Sequence, residues 1–297
     1  MGVITVLDIA IIWGEHRNDQ KFHTHHSYWE SAVEKLGCKM TRYLWSEMKD
    51  IQKTHDLYLF VDFHPSLYSI PKGYFKNMAF VWWDSHHMSQ AIVLQVCESF
   101  DRCYFFEYVS AVLARAYGLP VTWLPPAYLP EVFYPLGHQK VHDYAFIGQR
   151  DGWIYRNGDT KNTFLSKLGQ ADGIRGYMGQ GIYSHEVNGI YNDAKVLFER
   201  TVFPSVGTRF FEIIGSGGFT LMNRLKSYSG IEMLAQDGIH YVSFDDTYVD
   251  FEKKLRYYLA HDEEREKIAK AGHAYFLENH TYMERMKRIL MDFRLVG

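Results

Sequence analysis

Short, nearly continuous apolar runs alternate with helical patterns along this chain, and that alternation restricts its fold more than any other feature. An apolar run of strand length with no polar alternation is a strand buried on both faces. Val3 to Trp13, Met40 to Trp45, Leu57 to Val61, Met78 to Trp83 and Arg102 to Phe106 read this way. Between them, Ser27 to Leu36, Met88 to Glu98 and Val109 to Tyr117 read as helices, the first and last closed by Gly37 and Gly118. Repeated βα units require a parallel sheet with helices on both faces.

The pattern then restarts. Val121 to Pro135, VTWLPPAYLPEVFYP, holds four of the chain's 8 prolines and reads as an ordered, stiff connector. Beyond it come strands at Tyr144 to Ile147, Ile174 to Met178, Lys195 to Phe198, Phe219 to Met222 and Tyr241 to Phe244. Helices at Thr160 to Leu168, Glu186 to Tyr191 and Arg209 to Ile214 separate them. The end is all helical, over Tyr248 to Leu259, Glu263 to Glu278 and Tyr282 to Phe293. Phe251, Leu255, Tyr258 and Leu259 share one helix face, and Asp262 reads as the N-cap of the second helix. Both halves are therefore Rossmann-like α/β domains.

The stretch Thr201 to Met222, TVFPSVGTRFFEIIGSGGFTLM, is the chain's strongest ligand signal. Pro204 and Gly207 break the chain before a short helix, and Gly215, Gly217 and Gly218 end that helix before the next strand. A loop of this kind offers backbone N–H groups and the positive end of a helix dipole to an anion such as a pyrophosphate. Arg209 in the first turn adds a fork of donors, and Glu212 one turn on can accept from two ribose hydroxyls. The plainer alternative is a surface i,i+3 pair between Arg209 and Glu212, worth a few tenths of a kcal/mol.

Composition excludes several other classes. With 297 residues, 47% hydrophobic and 23% charged, the chain is an ordinary folded protein with room for about two domains. An aromatic share of 16% suits a core and also a surface that stacks sugars or bases. A net charge of −3 provides no global nucleic-acid surface, although Arg17, Lys21, Arg42 and Lys49 could form a local patch. Cys38, Cys97 and Cys103 show no CxxC spacing and cannot all pair, which favours a reducing compartment. No apolar run reaches the roughly 20 residues of a membrane span, and a cytoplasmic location is expected.

Four segments carry a family likeness: YAFIG at Tyr144 to Gly148, IYNDAKVLF at Ile190 to Phe198, GTRFFEIIGSGGFTLM at Gly207 to Met222, and the helical run from Leu255 to Met286. AFVWWDSHH at Ala79 to His87 and TWLPPAYLPEVFYP at Thr122 to Pro135 extend it thinly into the first half. Together they resemble the glycosyltransferases related to the spore maturation protein CgeB, of the GT-B group. That resemblance implies a GT-B architecture of two Rossmann-like domains facing a cleft. An acceptor domain would span residues 1–135 and a nucleotide-sugar domain residues 136–280, with a final helix, residues 281–297, crossing back to the first.

The resemblance further implies roles. Glu212 matches the ribose-binding acid, and Gly207, Thr208 and Arg209 the turn that meets the diphosphate. Gly148 with Arg150 matches a loop approaching the phosphates, and the segment around Tyr183 the base-recognition loop. Many retaining relatives carry a second acid eight residues before the ribose acid; Pro204 stands there, which leaves the stereochemistry open. The implied co-substrate is a nucleoside-diphosphate sugar, with UDP-sugar the default, and no further cofactor.

The acceptor base is sought where strands end, because ligands of a parallel sheet gather at its carboxyl edge. His16, His23, His25 and His26 follow the first strand, Asp62 and His64 the third, and Asp84, His86 and His87 the fourth. Asp84 and His86 are the favoured catalytic pair; the alternative is that Asp84 caps the helix near Met88. The histidines also offer nitrogen ligands to a borderline metal, but no pattern of carboxylates that would orient such ligands accompanies them. There is no convincing DxD motif, and Asp245-Asp246 reads as a helix start. Metal-independent chemistry is expected. Open alternatives are a transferase acting on hydroxymethylated DNA bases, a sugar-nucleotide epimerase and a non-catalytic nucleotide-sugar binder. The acceptor is equally open among saccharide, protein, small molecule and modified base.

Overall fold

A computed structural model describes residues 6–14, 25–83, 85, 88–148, 161–182, 184–201 and 205–297. The chain forms two compact units, Met1–Pro126 with Tyr282–Gly297, and Ala127–Thr281.

In the first unit the elements run β1 (Asp8–Trp13), α1 (His25–Lys35), β2 (Lys39–Leu44), β3 (Leu57–Val61), β4 (Met78–Trp82), α2 (Gln90–Glu98), β5 (Arg102–Phe105), α3 (Tyr108–Ala116) and β6 (Val121–Trp123). They build a six-stranded sheet in the order β2-β1-β3-β4-β5-β6, every pair parallel. β3 and β4 are buried at every residue, as expected of strands covered on both faces. β6 differs from the expected connector: Val121 pairs with Cys103 and Trp123 with Phe105. Pro120 stands just before the strand and the connector's own prolines begin only at Pro125, so none lies within the β-branched and aromatic tripeptide that extends the sheet.

The second unit runs β7 (His142–Ile147), α4 (Lys161–Gly169), β8 (Gly176–Gly179), α5 (Ser184–Asp193), β9 (Ala194–Glu199), α6 (Thr208–Gly215), β10 (Thr220–Asn223), β11 (Val242–Phe244), α7 (Tyr248–Ala260) and α8 (Asp262–Asn279). Its five-stranded parallel sheet has the order β11-β10-β9-β7-β8. The shared face of α7 is as its spacing predicts, with Phe251, Leu255 and Tyr258 buried and Leu259 packed at the rim. Thr247 caps α7, its Oγ1 accepting the Asp250 N–H, and Asp245 in turn accepts from the Thr247 N–H at 3.0 Å. Asp245-Asp246 thus stands at a helix start. For α8 the cap is His261, and Asp262 is the first helical residue, one place later than its N-cap reading.

The entering segment of this unit is held by two asparagines of α5. Asn188 exchanges hydrogen bonds with both the N–H and the C=O of Tyr134, and Asn192 accepts from Leu136 N–H at 2.7 Å. Side-chain amides here satisfy backbone groups that have no strand partner. The last helix, α9 (Tyr282–Asp292), belongs to the first unit. Its Tyr282 ring meets Tyr28 and Trp29 of α1 edge-on, with centroids 5.3 and 5.2 Å apart. Arg285 of α9 donates to the Pro125 and Pro126 carbonyls, and burial lowers its pKa to about 10. Among the described residues no helix is long and apolar enough to cross a membrane.

Candidate functional site

In the second unit the sheet order reverses direction between β7 and β9. From β7 the chain moves outward to β8, and from β9 to β10 and β11. The crevice beyond the carboxyl ends at such a reversal is where parallel α/β sheets bind ligands. Gly148 follows β7 there, and Glu199 ends β9.

Just beyond Glu199 the chain enters α6 through Gly207, an extended N-cap with no side-chain cap bond. The first N–H groups of α6 therefore have no intrahelical acceptor and present the positive end of the helix dipole. The opposite flank holds the helix in place: Phe210, Phe211, Ile213 and Ile214 are all buried. At its far end Gly217 takes the left-handed conformation with φ +77, which a side chain would strain. Gly218 lies so close to β9 that an added Cβ would meet Leu197 Cδ1 at 2.3 Å. The glycines that mark the end of the helix thus set how tightly it packs on the sheet.

Three charges meet at the head of α6. Arg209 Nη1 donates to Glu199 Oε2 at 2.7 Å, and its guanidinium lies 5.3 Å from the Phe146 ring centroid. Glu199 is buried, its side chain 6% exposed against 24% for Arg209. Burial opposes the charge of Arg209, but the Glu199 carboxylate outweighs it and raises the pKa. Glu212, half-buried one turn on, is raised to about 7: burial pushes it up, Arg209 pulls it down and Glu199 pushes it up again. A glutamate poised there at neutral pH is short of partners and able to receive donors from a ligand.

Gly148 lies against this cluster, because an added Cβ would stand 2.3 Å from Arg209 Nη2 and 2.7 Å from its Cζ. A Gly148→Ala substitution is expected to cost about 1 kcal/mol by displacing that guanidinium, lowering Tm by about 2–4 °C. Thermal denaturation checks it, and in an Arg209→Ala background the cost should largely vanish.

The structure therefore brings together Gly148, Gly207, Thr208, Arg209 and Glu212, all in one unit. Arg209 pairs with Glu199 in preference to Glu212, so the simple i,i+3 surface pair is not what forms. Arg150, Tyr183, Asp84 and His86 lie outside the described residues, as do Pro204, His16, His23 and His87. Glu199 was not singled out from sequence. The signal available was a polar pair, Glu199-Arg200, directly after the apolar run Val196 to Phe198. Arg200 is likewise buried, its Nε donating to Asp246 at 2.8 Å and its guanidinium 4.5 Å from the Phe164 ring. Among the described residues no group of three or more His, Cys, Asp or Glu side chains is placed to hold a metal ion.

Residues 144–291, which contain this site, match the family described as glycosyl transferase-like. No curated protein matches the chain by sequence. Among solved structures, the sucrose-phosphate synthase of Thermosynechococcus elongatus shares the fold at a TM-score of 0.65 and 10% identity, over 97% of this chain and 98% of that one. Anabaena Alr3699/HepE in complex with UDP aligns at 0.63 and 8%, over 98% and 100%. An α-glucosyltransferase in complex with UDP and a 13-mer DNA containing a HMU base aligns at 0.67 and 8%, over 98% and 100%. At such identities the likeness establishes the fold: two Rossmann-like parallel α/β units of GT-B type.

Proposed function

We propose that the chain is a glycosyltransferase of the GT-B type, its residues 144–291 matching the glycosyl transferase-like family, and that it transfers a sugar from a UDP-sugar to an acceptor hydroxyl without a metal. The observation that carries this reading is the head of α6, where N–H groups with no intrahelical acceptor, Gly148 and the Glu199–Arg209–Glu212 cluster meet at the reversal of the sheet. Glu212 accepts from the two ribose hydroxyls. The first turn of α6 receives the diphosphate, whose negative charge grows as the bond from the anomeric carbon to the phosphate oxygen breaks. A bond forms to the acceptor oxygen, and the acceptor proton passes to a base, for which Asp84 and His86 are proposed.

Metal independence is supported by the helix end itself, which stabilises the leaving group, and by the engagement of Asp245 and Asp246 in the start of α7 and in the Arg200 pair. The closer affiliation with the CgeB-like enzymes rests on the four sequence segments. A cytoplasmic setting accords with Cys38, Cys97 and Cys103, all free thiols. We assign the donor to the second unit and the acceptor to the first.

The test is a calorimetric and thermal-shift screen of UDP, GDP, CDP, TDP and ADP, each with and without EDTA. One nucleoside diphosphate, UDP, is expected to raise Tm, and the rise to survive chelation. A response to none of them would remove the nucleotide reading, and a response abolished by EDTA would remove the metal-free one. An Asp84→Asn variant is expected to keep UDP affinity and lose turnover.

A further inference from the structure

The head of α6 holds a negative charge supplied by the chain itself. A Cβ added to Gly207, the N-cap, would meet Glu199 Oε1 at 3.6 Å, so that oxygen lies beside the helix end whose dipole favours anions. The other oxygen, Oε2, accepts from Arg209 Nη1 at 2.7 Å.

That charge is fixed in place. Glu199 is the last residue of β9 and pairs with Met222 of β10 in the ladder. Beyond the ladder the Asn223 carboxamide stands in for a further strand residue, accepting from Thr201 N–H at 2.9 Å and donating to Thr201 C=O at 3.0 Å. Arg200, between them, is tied through Nε to Asp246. With the chain pinned from Glu199 to Thr201, a ligand cannot relieve the carboxylate by shifting the strand. The side chain is buried, so salt screens it little. Arg209 is the more exposed partner, and its Nη2 lies against Gly148. One guanidinium fork can serve two anions, Nη1 on Glu199 and Nη2 on a phosphate.

A diphosphate bound there shares one guanidinium and one helix end with a buried carboxylate, and the repulsion between the two anions grows with the charge of each. A free nucleoside diphosphate at pH 8 carries about one negative charge more than the same diphosphate esterified to a sugar, because its terminal phosphate loses a second proton near about pH 6. The carboxylate therefore opposes the product more than the donor.

We infer that Glu199 is a built-in anion that loosens the hold on the nucleoside-diphosphate product more than the hold on the donor, so that the product leaves once the sugar has moved. The inference rests on the donor-site reading above, and it concerns release, a step that limits turnover in many enzymes.

Calorimetry at pH 8 with uridine, UDP and UDP-glucose tests it, on wild type, Glu199→Gln and Glu199→Met. Both replacements are uncharged and close to glutamate in length, and circular dichroism confirms that each variant is folded. At that pH Glu212, with its pKa at about 7, is mostly ionised with or without Glu199, so its own titration contributes little to the comparison. The folded variants are expected to bind UDP about tenfold or more tightly than wild type, to gain less for UDP-glucose and to bind uridine within about twofold of wild type. UDP bound no more tightly than by wild type overturns the inference and leaves Glu199 an orienting partner of Arg209. A gain as large for uridine or UDP-glucose as for UDP also overturns it, because the effect would then not follow the charge on the phosphates. UDP binding by wild type that the variants leave unchanged removes this inference alone, whereas no UDP binding by wild type or variant removes the donor-site reading itself.

Discussion

A Glu212→Ala variant is expected to bind UDP about 1–3 kcal/mol more weakly, roughly 5- to 150-fold in Kd, because a charged acceptor of two hydroxyl donors is lost. The side chain has a second signature that a merely structural role would not produce. Its pKa stands at about 7, and only the ionised form accepts from both hydroxyls. UDP affinity is therefore expected to rise by about tenfold between pH 6 and pH 8 in the wild type, and a Glu212→Gln variant to show no such rise. Calorimetry at both pH values checks this, and a flat wild-type profile would mean Glu212 does not meet the ribose.

The same shift fixes the sign of the stability change. Raised from the ordinary 4.5 to about 7, Glu212 binds its proton more tightly in the folded state than in the unfolded chain. Between those values the folded state holds more protons, so stability falls as pH rises from 4.5 to 7 and stays reduced above 7. Glu212→Gln removes that cost. With partial solvent screening discounted, it should be about 1–2 kcal/mol more stable than wild type at pH 8 and little different near pH 4.5.

The proposed donor site was legible in the sequence to the extent that its parts are local. Gly207, the head of α6 and Glu212 lie within a few residues of one another, and helix boundaries, glycines and an acid at helical spacing announce themselves in one window. The doubly covered strands were legible for a similar reason: β3 and β4, buried at every residue, tolerate no polar side chain. β6 was hidden because its three residues adjoin prolines that dominate the local pattern. The Glu199–Arg209 pair was hidden because ten residues of chain separate its members and only the placement of β9 against α6 joins them.

Glu199 should be the costliest side chain of the site to remove. Its carboxylate is buried and holds Arg209 at 2.7 Å, so Glu199→Ala leaves a cation confined between Phe146 and Gly148 with only Glu212 nearby to offset its charge. Losing one member of a buried pair costs more than the pair is worth, and with Arg209 a quarter exposed the expected destabilisation is about 2–3 kcal/mol, read by urea denaturation. The effect on binding should run through Glu212. Glu199 repels that carboxylate and Arg209 attracts it, so removing Glu199 leaves the attraction unopposed. The pH midpoint of UDP binding is then expected to move below 7, and Arg209→Ala, which removes the attraction, to move it above. Both variants are less stable, so lost stability alone cannot send their midpoints in opposite directions. Midpoints that stayed together would mean the three side chains do not act as one electrostatic unit at the head of α6.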